Sequence, residues 1–176
     1  YNKKNLTFQS SLYNGTGYYK FSGRENAFRF APKTDGVFAL AQTEYRYKDS
    51  RYYLGTSLHY SDLMQTSSRN LRPTVWGYAE QALPAGFTLL AAYSHAFSSD
   101  NVCRNYCAIG GKYTYKKAEL GICSDYTCIS GVNEFATELT GCVALTEYLS
   151  LQPAMHFVTT GGRTKCIGML RTTISL

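Results

Sequence analysis

The sequence predicts an all-β fold, specifically a transmembrane antiparallel β-barrel of about ten strands, and three observations lead to that prediction. Long stretches alternate apolar and polar residues with a period of two, which is the repeat of a β-strand. The composition favours strands and turns, with 16 tyrosines and 15 glycines in 176 residues. Finally, the connections between these stretches alternate between long and short, a pattern that is typical of outer-membrane barrels.

The alternation is clearest in the last two stretches of the chain. Residues 149–158 place Leu149, Leu151 and Phe157 on one side, and Gln152 and His156 on the other. The stretch 165–176 continues the same alternation after a polar Gly-Gly connection at 159–164. Because an amphipathic strand must pair with a neighbour or leave an adhesive edge, we expect the sheet to close on itself.

The same pattern predicts ten strands in a single domain, 1–176. They are expected at 5–13, 36–48, 51–61, 71–83, 87–97, 105–115, 119–126, 134–145, 149–158 and 165–176. Long connections are expected at 14–35, 62–70, 98–104, 127–132 and 159–164, and short turns at 49–50, 84–86, 116–117 and 146–147. If the C-terminal end is periplasmic, every short turn is expected on that side. The longest connection, 14–35, is expected to be a functional loop that is external or folded into the lumen.

In such a barrel the apolar side of each strand faces lipid and the polar side faces the lumen. Carboxylates, guanidinium groups and aromatic rings are also the groups that bind sugars, by hydrogen bonding and by stacking. We expect Trp76, Glu80 and Arg171 to contribute to a sugar-selective constriction, which Glu44 and Arg46 could join. The alternative, which stays open here, is that these residues simply line a wet channel. The predicted lumen face carries Gln42, Glu44, Arg46, His59, Trp76, Glu80, Lys112, Glu138, Gln152, His156 and Arg171.

Several segments resemble one family of barrels. LSLQP at 149–153, the Gly-Gly loop and GMLRTTISL at 168–176 are similar to the end of the carbohydrate-selective porins, the OprB family. The segments 78–97 and 105–122 are similar to preceding strands of that family. The resemblance implies that this chain is the C-terminal part of a 16-stranded barrel. The sequence departs from the family in ending at Leu176 rather than an aromatic residue, in having Ala154 where an acid is usual, and in its six cysteines.

The resemblance also implies a function, which is passive diffusion of carbohydrates, ions and other small hydrophilic solutes across the bacterial outer membrane. The expected partners are small carbohydrates and outer-membrane lipid, with no cofactor and no enzymatic activity. The net charge of +6 is spread along the chain, so a nucleic-acid partner is not expected.

Two other functions are weighed against a pore. One is a complete small barrel with a structural or adhesive role. The other is a barrel lipid hydrolase, for which His59, Ser61 and Asp62 are the candidate histidine, serine and acid. Ser61 and Asp62 point to opposite faces of a strand, however, and no Gly-x-Ser-x-Gly motif is present.

The six cysteines favour disulfides over zinc, because they are spread along predicted strands instead of being paired on turns. We expect a bridge between Cys107 and Cys128, with Cys103 as a competing partner for either. Cys123 and Cys142 form the second candidate pair. Cys166 would be left for cross-linking to other envelope proteins.

Overall fold

The structure is a computed structural model that describes residues 2–16, 30–61, 70–98 and 103–174. These residues form one antiparallel sheet of eleven strands, each paired with its neighbours in sequence. In this part of the chain, β1 pairs only with β2 and β11 only with β10, so the sheet is a continuous meander with two ends. No helix within these ranges has the length and hydropathy needed to cross a membrane.

All ten predicted strands are confirmed, each with both ends within three residues of the expected positions. The structure adds a two-residue strand, β1, at the start of the sheet. One helical turn, α1 (Pro32–Asp35), precedes β3, and a 3-10 turn at Pro84–Gly86 connects β5 to β6. The strands are β1 (Asn2–Lys3), β2 (Leu6–Asn14), β3 (Val37–Tyr47), β4 (Ser50–Ser61), β5 (Asn70–Ala82), β6 (Phe87–Ala96), β7 (Cys103–Tyr115), β8 (Ala118–Ile129), β9 (Val132–Ala144), β10 (Leu149–Thr160) and β11 (Arg163–Ile174).

The predicted alternation of long and short connections is wrong at two places. The connection expected at 127–132 is a two-residue turn, Ser130-Gly131, because β8 continues to Ile129 and β9 begins at Val132. The connection expected at 159–164 is likewise reduced to Gly161-Gly162. All four turn residues have positive φ, from 50° to 80°. This geometry lets two antiparallel strands pair up to the turn itself, and it places short turns at both ends of the sheet.

The base of the longest connection, predicted at 14–35, is closed by hydrogen bonds. Ala31 N donates to Asn14 Oδ1 at 2.9 Å, and Gly15 N donates to Gly36 O at 3.1 Å. The segments 17–29, 62–69 and 99–102 lie outside the described residues, and with them most of the predicted loops at 14–35, 62–70 and 98–104.

The two faces of the sheet differ sharply in chemistry. We call the side that carries Glu44, Trp76 and Glu138 the polar face, and the side that carries Leu54 and Tyr93 the apolar face. Most of the large exposed apolar side chains of the strands lie on the apolar face, including Leu58, Ile109, Leu120, Leu170 and Ile174. The predicted division of the strands into two faces is therefore confirmed.

The best-shielded side chains lie mainly on the polar face. Glu44, Ser61, Arg72 and Thr127 are buried there. The only buried apolar residues among those described are two alanines, Ala96 and Ala154, and they also belong to the polar face. A sheet that curves toward its polar side gives this distribution, since side chains on a concave side shield one another. It is the reverse of a soluble sheet, which buries its apolar side.

The predicted disulfide between Cys107 and Cys128 is wrong for this structure, in which all six cysteines are free. The register pairs Cys107 with Tyr126, so Cys128 is two residues beyond the facing position. Such diagonal neighbours are about 7–8 Å apart, beyond the usual range of about 4.4–6.8 Å for bridged Cα atoms.

The second predicted pair is not bridged either. Cys123 and Cys142 share the polar face, as expected. Cys123 faces Glu138, however, and Cys142 faces Glu119, which offsets the two cysteines by four residues along the strands. At about 3.3 Å per residue, the offset alone is about 13 Å. Cys103 Sγ lies 2.9 Å from Thr127 Oγ1, and Cys166 is exposed on β11.

Candidate pore-lining face

The polar face is assembled by the register of neighbouring strands, because directly paired residues point to the same side of a sheet. One row of paired residues runs from Arg46 through Arg51 to Glu80, and another from Gln42 through Gly55 to Trp76. Across β8 to β11, Glu138 pairs with His156, and Gln152 with Arg171. All eleven residues predicted for the lumen lie on this one face.

Trp76 occupies a place that a glycine leaves open. Its partner across the strands is Gly55, and a Cβ atom added there would lie only 2.2 Å from the indole Cε2 and 2.3 Å from Cζ2. The indole therefore rests directly against the backbone of β4. Its Nε1 donates a hydrogen bond of 3.4 Å to Gln42 Oε1. This arrangement presents an aromatic ring beside an amide group, which is a combination that can stack on and hydrogen-bond to a sugar.

A charged cluster lies near the turn that joins β3 to β4. Arg46 Nε donates to Glu44 Oε1 at 2.5 Å, and Arg46 NH2 donates to Glu44 Oε2 at 3.2 Å, which makes the pair bidentate. The Tyr53 hydroxyl also donates to Glu44 Oε1, at 3.0 Å. The Glu44 side chain is 11% exposed and that of Arg46 is 58% exposed. The carboxylate is thus held in place, while the guanidinium group remains accessible.

The opposite part of the polar face carries a second set of charges. Lys112 Nζ lies 3.4 Å from Glu119 Oε1, and Thr114 Oγ1 donates to the same oxygen at 3.3 Å. His156 Nδ1 lies 3.6 Å from Glu138 Oε2. Gln152 Nε2 donates to Thr140 Oγ1 at 3.1 Å. These side chains, on β7 to β10, all lie on the polar face.

The predicted trio of Trp76, Glu80 and Arg171 is not joined by direct contacts among the described residues. Trp76 and Glu80 are four residues apart on β5, and Glu80 pairs with Arg51. Arg171 pairs with Gln152 on the last strand, so five strands lie between it and Trp76 along the sheet. A constriction formed by these three side chains stays a prediction.

Sequence reasoning missed several functional candidates of the polar face. Arg51, Tyr53 and Arg72 lie there, as do Glu119 and Glu134 on β8 and β9. Counting in steps of two from His59 reaches Tyr53 and Arg51, so that signal was available in the sequence. Arg72 is different, because it is buried and its NH1 donates a hydrogen bond of 2.8 Å to Ser61 O, which the sequence does not reveal.

The residues considered for a hydrolase come together only in part. Ser61 Oγ lies 3.0 Å from His59 Nε2, since both residues face the polar side of β4. The same nitrogen lies 3.3 Å from Gly15 O. A carbonyl oxygen only accepts hydrogen bonds, so this contact requires a proton on Nε2, and a protonated nitrogen is not a base for Ser61. Asp62 lies outside the described residues.

Metal-binding chemistry has no clear place on this face. Within the described ranges, no three His, Cys, Asp or Glu side chains are grouped closely enough to hold a metal ion.

Compared with known proteins, the chain matches no protein-family model, no curated protein and no solved structure. The similarity to carbohydrate-selective porins therefore stays a prediction that rests on the quoted residues.

Proposed function

We propose that this chain forms all or part of an outer-membrane pore for the passive diffusion of carbohydrates and other small hydrophilic solutes. The observation that carries the proposal is the inverted sheet, with its shielded side polar and its exposed side apolar. Lipid can cover an exposed apolar face, and a wet channel needs a polar concave one. A water-soluble barrel requires the opposite arrangement, because large apolar side chains fill its interior.

The extent of the uncovered surface supports the same proposal. The chain exposes 12274 Å², whereas a compact globular protein of 19.7 kDa exposes about 8,600 Å². Contiguous apolar patches of more than a few hundred Å² mark interaction surfaces, and here the apolar side extends across the strands from β2 to β11. The occupant that fits a patch of this kind is the hydrocarbon of a membrane.

The pairing of Trp76 with Gln42 supports sugars as the solutes. An indole offers a flat apolar surface to the C–H face of a sugar ring, and the neighbouring amide can bind its hydroxyl groups. Farther along β3 on the same face, the exposed guanidinium group of Arg46 adds further hydrogen-bond donors. A pore selective only for ions would gain nothing from the aromatic ring.

The test compares sugar flux with salt conductance in the same protein. Trp76→Ala, reconstituted in liposomes and planar bilayers, should slow sugar uptake several-fold while leaving salt conductance nearly unchanged. Tyr93→Ala is the matched control, because it removes an aromatic side chain from the apolar face. Equal effects of Trp76→Ala on sugar and salt would leave a nonspecific pore. The absence of any flux through the unmodified protein would contradict the proposal.

A lipid hydrolase is the alternative that one contact favours, namely the 3.0 Å approach of Ser61 Oγ to His59 Nε2. Ser61 is only 2% exposed, which argues against a nucleophile that must reach a lipid. The contact with Gly15 O instead suits a structural role, in which His59 ties β4 to the segment after β2. Labelling of Ser61 by a serine-directed fluorophosphonate would establish the hydrolase and overturn that structural role.

A further inference from the structure

A cleft on the polar face, away from Trp76, has the features of a binding site. It is an open cleft of about 180 Å³ between β6 and β10, with Leu90 at one side and Gln152 at the other. Sites for drug-sized ligands measure roughly 300–1,000 Å³. The cleft is therefore suited to a smaller ligand, of about the size of one sugar ring.

The cleft exists because Gly121 leaves its floor open. The residue lies between Lys112 on β7 and Thr140 on β9 and faces the polar side. A Cβ atom at this position would lie 3.2 Å from Thr140 Cγ2, so even alanine would crowd the floor. Apolar surface from Leu90 and the Cys123 and Cys142 thiols completes the walls.

The lining of the cleft is richer in carboxylates than in cations. It contains Glu119 and Glu138, with Lys112 as its single cation. Lys112 lies 3.4 Å from Glu119 and partly neutralises it, whereas Glu138 has the His156 ring at 3.6 Å as its ionisable partner among the described residues. Outside the lining the charges are mixed, since Asp125 and Glu134 lie on the same face of β8 and β9 and Arg171 on β11 faces Gln152. The lining thus has one carboxylate in excess, at Glu138, and that position favours an ammonium group over a carboxylate.

We propose that this cleft binds an amino sugar, with the ligand's ammonium group at Glu138 and its hydroxyl groups at Gln152 and Lys112. Neutral monosaccharides bind more weakly, because they lack the ammonium group, and anionic monosaccharides bind most weakly, because Glu138 repels their carboxylate. This proposal rests on the proposed function, because the pore would be the route by which the sugar reaches the cleft. The cleft itself belongs to the folded chain and can be tested without any flux.

The experiment is equilibrium dialysis of the detergent-solubilised full chain against radiolabelled glucosamine, glucose and glucuronate. Glucosamine should bind most tightly and glucuronate least. Glu138→Gln should weaken glucosamine binding roughly tenfold, the usual value of one charge-assisted hydrogen bond, with little change for glucose. Glu147→Gln, in the connection between β9 and β10, is the matched control and should change nothing.

Two further variants test the shape of the cleft. Gly121→Ala should weaken all three sugars alike by crowding the floor, and Gly121→Val should abolish their binding if the variant retains the β-sheet signal in circular dichroism. A glucosamine preference that survives Glu138→Gln, or glucuronate binding as tight as that of glucosamine, would overturn the proposal. Binding without flux in bilayers would contradict the pore alone, and flux without binding would contradict the cleft alone.

Discussion

The positions of single side chains on the polar face depend on the size and polarity of their cross-strand neighbours. Trp76 can lie flat against β4 because Gly55, its cross-strand partner, has no side chain. The hydrogen bond from Trp76 Nε1 to Gln42 connects the edge of the ring to β3. Glu44 shows the complementary case, since its carboxylate is held by two groups, Arg46 and Tyr53, before any ligand arrives.

The first prediction concerns the glycine beneath the indole. Gly55→Ala should displace the ring, because the new methyl group would lie 2.2–2.6 Å from three of its atoms. Trp76 is the only tryptophan in the chain, so its fluorescence reports the displacement without background. We expect a shifted emission maximum and a destabilisation of roughly 1–3 kcal/mol from overpacking.

Gly77→Ala is the control for this experiment. Gly77 is adjacent to Trp76 on β5 but points to the apolar face, and a Cβ atom there meets only Tyr53 O, at an ordinary 3.7 Å. The same emission shift in both variants would mean that Gly55 does not position the indole.

At the scale of elements, the turns decide how far each pair of strands extends. Ser130-Gly131 and Gly161-Gly162 adopt positive φ, and their strands pair to the last residue before the turn. The sequence interpretation assigned both regions to long loops, at 127–132 and at the polar, Gly-Gly-containing segment 159–164. Ser-Gly and Gly-Gly pairs also suit the two central positions of a tight hairpin turn. Strand pairing on both sides of each pair favours that turn over a longer loop.

The second prediction tests this turn geometry. Gly131 has φ of 80° and no atom within 4 Å of an added Cβ, so Gly131→Ala introduces backbone strain without any steric clash. We expect a loss of stability of roughly 1–2 kcal/mol. The control is Gly168→Ala in the middle of β11. An added Cβ atom there also has no neighbour within 4 Å, but the φ of Gly168 is not positive.

Gly168→Ala should change the stability in the opposite direction to Gly131→Ala. Removing a glycine from a strand reduces the freedom of the unfolded chain, which stabilises by roughly 0.4–1 kcal/mol. Urea unfolding in lipid vesicles measures both variants. Equal changes in stability would show that the turn at Ser130-Gly131 does not need its positive φ.

At the scale of the whole molecule, the segregation of the two faces is the dominant fact. The described part of the chain buries no apolar side chain larger than alanine, so a conventional core does not hold the sheet together. Backbone hydrogen bonds between successive strands provide its continuity. Under the proposed function, a bilayer covers the apolar face and supplies the environment that a core would otherwise provide.

The third prediction uses the native cysteines as probes of the two faces. Cys107 lies on the apolar face and Cys142 on the polar face. In variants that retain only one of them, a water-soluble maleimide should label Cys142 in vesicles but leave Cys107 protected by lipid. Cys107 is exposed when no membrane is present. Rapid labelling of Cys107 in vesicles would therefore contradict a lipid-covered apolar face.

The alternation of the sequence determined the strands and the face of each residue, because a period of two leaves each side chain only two directions. All eleven predicted lumen residues accordingly share one face. Local sequence could not determine which residues meet across strands, since register depends on turn geometry and on the neighbouring strand. That register separated Cys107 from Cys128 and placed Gly55 beneath Trp76. The tertiary structure alone also formed the cleft above Gly121, because its rim comes from residues of different strands.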